Sequence, residues 1–165
     1  MKIFGKPLSE YLAFASPFMI LVFVAGVTRL ALSLNGVPNE TTRWFTMVGL
    51  AWIGVIYYSI RVHTTGFGSY KQLLVIFAAV NWTAQAIAIV GIAIAMSTGT
   101  NNVFSSPEFF FGGNGNSWRH LLSHIFVGTT LGTLFPWVIG SGILAITRRA
   151  TRKFEDFTPT SMERS

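Results

Sequence analysis

Four stretches of this chain are nearly unbroken runs of apolar side chains: Tyr11–Leu34, Trp44–Val62, Leu73–Met96 and Leu121–Ile146. Each is close to or beyond the roughly 20 residues a helix needs to cross the hydrocarbon core of a bilayer. Polar, turn-forming segments separate them. Asn35–Arg43 contains a Gly-Val-Pro-Asn turn, and His63–Tyr70 reads HTTGFGSY, punctuated by two glycines. The connection 97–117 is longer and couples three consecutive phenylalanines, 109–111, to a Gly/Asn stretch. The pattern predicts an all-α integral membrane protein, an antiparallel bundle of four transmembrane helices filling residues 1–147. A basic tail, 148–165, follows and is expected to be disordered. Pro17 and Pro136 fall inside the first and fourth spans and are expected to bend them.

Composition sharpens this picture. Only 11% of residues are charged and mean hydropathy is +0.52, whereas a soluble domain carries about a quarter charged residues. The spans leave no room for a separate soluble domain. The first run, 24 residues from Tyr11 to Leu34, exceeds the roughly 7–15-residue apolar core of a signal peptide. It is therefore read as a retained helix. The chain has no cysteine, which excludes thiolate metal sites, Cys-ligated clusters, c-type haem attachment and disulfides.

The net charge of +6 resembles a nucleic-acid signal until its placement is considered. Arg148, Arg149, Arg152 and Lys153 follow directly on the fourth span, where a membrane protein keeps the charge that orients it. Lys2 and Lys6 precede the first span, and Arg61 and Lys71 bracket the second connection. The first connection balances Arg43 against Glu40, and 97–117 has no Lys or Arg. The positive-inside bias puts both termini in the cytoplasm, with no nucleic-acid partner. The lipid bilayer is the first partner, and the expected location is a bacterial inner (plasma) membrane.

Candidate chemistry concentrates in NSWRHLLSHIF, Asn116–Phe126. With Asn116 or Ser117 as N-cap, the last helix starts near Trp118. His120 and His124 then share one helical face, at a spacing that lets two imidazoles hold one metal. Two histidines are short of the three or four ligands of a tetrahedral site, and Glu108 is the nearest carboxylate in the adjoining connection. A haem b needs axial ligands from both sides of its pocket. His63, the remaining histidine, belongs to the opposite membrane face. A haem would therefore lie between copies or between this chain and another subunit.

Arg29 stands one to two turns inside the first span, where charge is expensive unless it snorkels, pairs or faces a polar cavity. Together with Arg43, Arg119, His120 and His124 it makes an outer cluster fit for an anionic headgroup. Asn81 and Gln85, four apart on the third span, either bond neighbouring helices through Thr129, Thr130 or Thr133 or line a polar groove beside Trp82. Pairs of small residues, Ala84/Ala88, Gly91/Ala95 and Gly128/Gly132, mark faces where helices can approach closely.

No carboxylate falls within a span, and no phosphate loop or nucleophile–histidine pairing is evident. The sequence therefore argues against an enzyme working alone. Three readings follow. The first is a non-catalytic subunit or interaction partner in a larger membrane assembly, or in a self-associated one. The second is a haem- or metal-binding protein using His120 and His124. The third is a small carrier or lipid-binding protein using Arg29, Arg119, Asn81 and Gln85.

Overall fold

The structure, a computed structural model, describes residues 2–42, 46–106 and 113–157, with side chains described as far as Arg152. Arg43, Trp44, Glu108 and the three phenylalanines 109–111 lie outside the described residues.

A two-residue hairpin opens the chain. β1 (Lys2–Ile3) pairs antiparallel with β2 (Lys6–Pro7), and Phe4 and Gly5 make the turn at φ 46° and 89°. Positive φ at both central positions is what a tight hairpin of the right twist requires. Helix α1 (Leu8–Leu34) follows, then the short α2 (Asn39–Thr42), α3 (Met47–Thr64) and α4 (Tyr70–Thr98). The last span starts as α5 (Trp118–Ser123), passes through a π-helical turn at His124–Gly128 and continues as α6 (Thr129–Phe157). Four helical segments are long and apolar enough to cross a membrane, as the hydrophobic runs predict.

Local sequence accounts for most of the ends. The Thr46 hydroxyl accepts from Gly49 N–H and starts α3. Ser69 and Gln72 form a capping box at the head of α4, and Gly99, at φ 71°, stops that helix in the left-handed conformation. Ser117 caps α5 through His120 N–H, as expected. The C-terminal end differs from expectation. The basic cluster does not begin a tail, because Arg148, Arg149, Arg152 and Lys153 ride on α6, which runs on to Phe157.

Successive long helices alternate in direction, yet the neighbours are not all antiparallel. Helix α1 packs most extensively on α4, and the two run parallel. Phe4 O meets Gln72 at one end, and Gly26 meets Ile87 farther along. Likewise α3 and α6 run parallel, joined by Trp52–Phe135 and by His63 Nε2 to Thr151 Oγ1 at 2.8 Å. The antiparallel contacts are α1–α3, where Tyr58 donates to Ala15 O at 2.8 Å, α4–α6, where Trp137 Nε1 donates to Tyr70 O at 2.8 Å, and α3–α4. The aromatic core (Tyr11, Phe14, Phe18, Tyr58 and Phe67) lies near the chain's N-terminal hairpin. Toward the other end, where residues 99–106 of the connection 97–117 lie, the helices leave a cavity.

That connection is anchored inward. Asn102, Val103 and Ser105 are buried. Asn102 Nδ2 donates to Gly91 O at 2.6 Å, Val103 N–H donates to Ser33 Oγ at 2.8 Å, and Phe104 packs where a Gly91 side chain would otherwise stand. Gly91, expected to face another helix, instead receives this loop.

Candidate functional site

At the loop-rich end, the helices enclose a cavity of 410 Å³. Its wall is mostly apolar and comes from every long helix and from the loop. Small residues on α3, α4 and α6 (Ala51, Ala84, Ala88 and Gly132) leave the space open. Val103 and Phe104 close it on the loop side. Trp52 of α3 and Phe135 of α6, edge to face at 5.9 Å, stand at its rim between two helices. Val48, Leu131 and Phe135 line the cavity while remaining more than half exposed on the outer surface. The opening is therefore sideways, through the apolar flank between α3 and α6.

Besides Thr46, whose hydroxyl caps α3, the polar side chains lining this cavity are Arg29, Asn81, Gln85 and His124. The fold gathers them from α1, α4 and the π-helical turn. Arg29 Nη2 donates to Asn39 Oδ1 at 2.7 Å, which steers the guanidinium along the end of the bundle. Asn81 Nδ2 donates to Gly128 O, Thr129 O and Thr133 Oγ1 at 3.1, 3.2 and 3.1 Å. Its Oδ1 accepts from Gln85 Nε2 at 3.2 Å, and Gln85 Oε1 faces His124 Nδ1 at 2.7 Å. Beyond the cavity, His124 Nε2 meets His120 Nε2 at 3.2 Å, and His120 Nδ1 bonds Gly115 O at 2.8 Å. One line of contacts thus runs from the α6 backbone through two amides and two imidazoles to the outer loop.

Two glycines make this line possible. A Cβ on Gly128 would stand 2.6 Å from Gln85 Oε1, and one on Gly132 would stand 2.7 Å from Asn81 Oδ1. The Gly128/Gly132 face does bring helices together, but its specific service is to admit the two amides. The π-helical turn begins at His124. Such turns are inserted where a side chain must be re-aimed, frequently at functional sites.

The sequence-derived candidates separate accordingly. Arg29, Asn81, Gln85 and His124 come together, and His120 is buried directly behind His124. Arg119 is exposed and does not line the cavity. Trp82, expected beside the Asn81/Gln85 groove, is 60% exposed on the outer surface. Of the three threonines named as partners, Thr133 offers its hydroxyl and Thr129 its carbonyl, while Thr130 points outward. Glu108 lies outside the described residues. Among the described residues, no three His, Cys, Asp or Glu side chains converge on one point. For a haem, each imidazole has both ring nitrogens engaged, and His63 bonds Thr151 at the opposite end of the bundle. This arrangement gives the haem reading no support.

Sequence reasoning missed the rim and floor of the cavity: Trp52, Phe135, Phe104 and the openness at Ala51. Ala51, Trp52 and Phe135 read as ordinary residues of apolar spans, and Phe104 as one more residue of the connection 97–117. Only facing small residues across helices could have signalled the space, and that requires knowing which helices face each other.

Compared with known proteins, the chain matches no family model, and neither a curated protein nor a solved structure is similar to it.

Proposed function

We propose that this is a multi-pass membrane protein, with both termini cytoplasmic, that binds an amphipathic molecule drawn sideways from the bilayer. The cavity carries this reading. Its volume lies in the range of about 300–1,000 Å³ usual for small-molecule sites. Its apolar wall suits an acyl or isoprenoid chain. Its polar groups suit a head that accepts hydrogen bonds: the Arg29 guanidinium presents several donors, and Gln85 Nε2 has a second N–H beyond the one given to Asn81. An anionic head, carboxylate or phosphate, matches Arg29 best. The sideways mouth at Trp52 and Phe135 would let the chain portion enter without crossing water. No feature of the described residues favours a subunit role in a larger assembly over this one.

The test uses the full chain in mild detergent, with dodecanoate and dodecyl phosphate as probes. A rise in thermal midpoint with either probe is expected, and Arg29→Gln should abolish most of it. Ala84→Phe, which fills the cavity, should remove the response without lowering the midpoint of the ligand-free protein. A response absent in the native chain, or unchanged in both variants, would discard the reading.

A further inference from the structure

The turn of the N-terminal hairpin places a phenylalanine where its backbone disfavours one. Phe4 stands at φ 46°, in the left-handed region that is a genuine outlier for a bulky side chain. A two-residue turn with positive φ at both positions usually carries Asn-Gly, Asp-Gly or Gly-Gly. Neighbouring helices hold the conformation: Gln72 Nε2 of α4 donates to Phe4 O at 2.9 Å, and Tyr11 Oη of α1 donates to Ile3 O at 2.8 Å. The ring is not spent on the core. Phe4 remains 47% exposed, and Leu8 and Leu12, on one face of the first turns of α1, are exposed as well.

The same end of the bundle is strongly cationic. Lys2, Lys6, Arg61 and Lys71 lie there, and the contacts of Arg148 with Gly68 O and of Thr151 with His63 bring Arg148, Arg149 and Arg152 to it. Among the described side chains its one carboxylate is Glu10, paired with Lys6 at 2.8 Å. Three of these cations lie over rings packed against the core: Arg61 over Phe14 and Tyr57 at 5.3 and 5.2 Å, Lys6 over Phe67 at 4.6 Å, and Arg148 over Tyr70 at 5.0 Å. Lys71 differs. It is exposed, and its ammonium lies 5.8 Å from the exposed ring of Phe4, within the roughly 6 Å reach of cation–π attraction.

We infer that Phe4 and Lys71, with Lys2 on β1, form a contact for the phosphate of an anionic phospholipid in the leaflet that meets the hairpin. The ring seats at the boundary between headgroups and acyl chains, where exposed apolar side chains gain burial. The ammonium held over its face meets the lipid phosphate, as basic groups at a membrane surface do. A soluble anion gains nothing from the exposed ring, so the partner is a lipid rather than free phosphate. The inference rests on the membrane-spanning part of the proposed function and not on the cavity, which lies toward the opposite end.

The experiment reconstitutes the full chain in nanodiscs of phosphatidylcholine alone and with increasing phosphatidylglycerol, and follows the thermal midpoint. A rise with phosphatidylglycerol is expected. In Lys71→Gln the phosphatidylglycerol content needed for half the rise should be about fivefold higher, the loss of one lysine–lipid attraction. In Arg152→Gln, an equal loss of charge on α6, it should change little. Phe4→Asn should shrink the rise without lowering the midpoint in phosphatidylcholine, because asparagine accepts the left-handed turn. Ala84→Phe, which fills the cavity, should leave the rise intact; its loss there would put the lipid in the cavity and overturn the contact. Equal effects of Lys71→Gln and Arg152→Gln, a rise that Phe4→Asn leaves unchanged, or the same rise from inorganic phosphate would also overturn it. A chain that fails to enter neutral nanodiscs overturns the membrane reading and the contact together. One that enters them but shows no preference for phosphatidylglycerol overturns the contact alone.

Discussion

The side chain of Asn81 occupies the space that Gly132 leaves empty: a Cβ at 132 would stand 2.7 Å from Asn81 Oδ1. An amide in a span needs acceptors, and α6 supplies them at Gly128, Thr129 and Thr133 only because its face there is smooth enough for α4 to come close. Polarity and smallness on the two helices are one feature seen from both sides.

That relationship is testable by a mutant cycle. Gly132→Val should cost about 1–3 kcal/mol, as overpacking of a close contact does. Gly132→Ala should cost less in an Asn81→Ala background than in the native chain, because the clashing atom is gone. Unfolding in mixed micelles reads both quantities. Strict additivity of the two alanine changes would show that the residues are not coupled.

The loop 99–106 is held to the bundle through Asn102, whose Nδ2 donates to Gly91 O and whose Oδ1 accepts from Phe104 N–H at 2.9 Å. Asn102→Ala should free the loop, at a cost of about 1 kcal/mol for the lost bonds. The expected readout is faster amide hydrogen exchange at Val103, Phe104 and Ser105, with α1 and α3 unaffected. Both Val103 and Phe104 line the cavity, so the dodecanoate response should shrink in parallel. Unchanged exchange at the three amides would assign the anchoring to other contacts.

The placement of Lys and Arg predicts an orientation with both ends cytoplasmic. A green fluorescent protein fused after Ser165 should be fluorescent in cells, and alkaline phosphatase at the same point inactive. Phosphatase inserted at Asn101 should be active. The reverse pattern would mean that the Arg148–Lys153 cluster on α6 does not set topology.

The four spans were legible because the signal is local. A long apolar run has few alternatives to a helix once its backbone must satisfy its own hydrogen bonds. Capping was legible for the same reason: Ser117 needs only the next three residues to cap α5. The i, i+4 spacing already put His120 and His124 on one face, and Arg29, Asn81 and Gln85 stood out because polarity is costly in such runs. The sequence by itself thus determined the four long apolar helices and where polar side chains interrupt them. Their arrangement came only from the tertiary structure. The parallel pairing of α1 with α4 and α3 with α6 decides which faces meet, and apolar runs that are hydrophobic all round carry no mark of facing. From that pairing follow the cavity, the exclusion of Arg119 and Trp82 from it, and the line of amides that reaches His124. Each depends on distances between residues far apart in the chain, set by side-chain volume where helices cross.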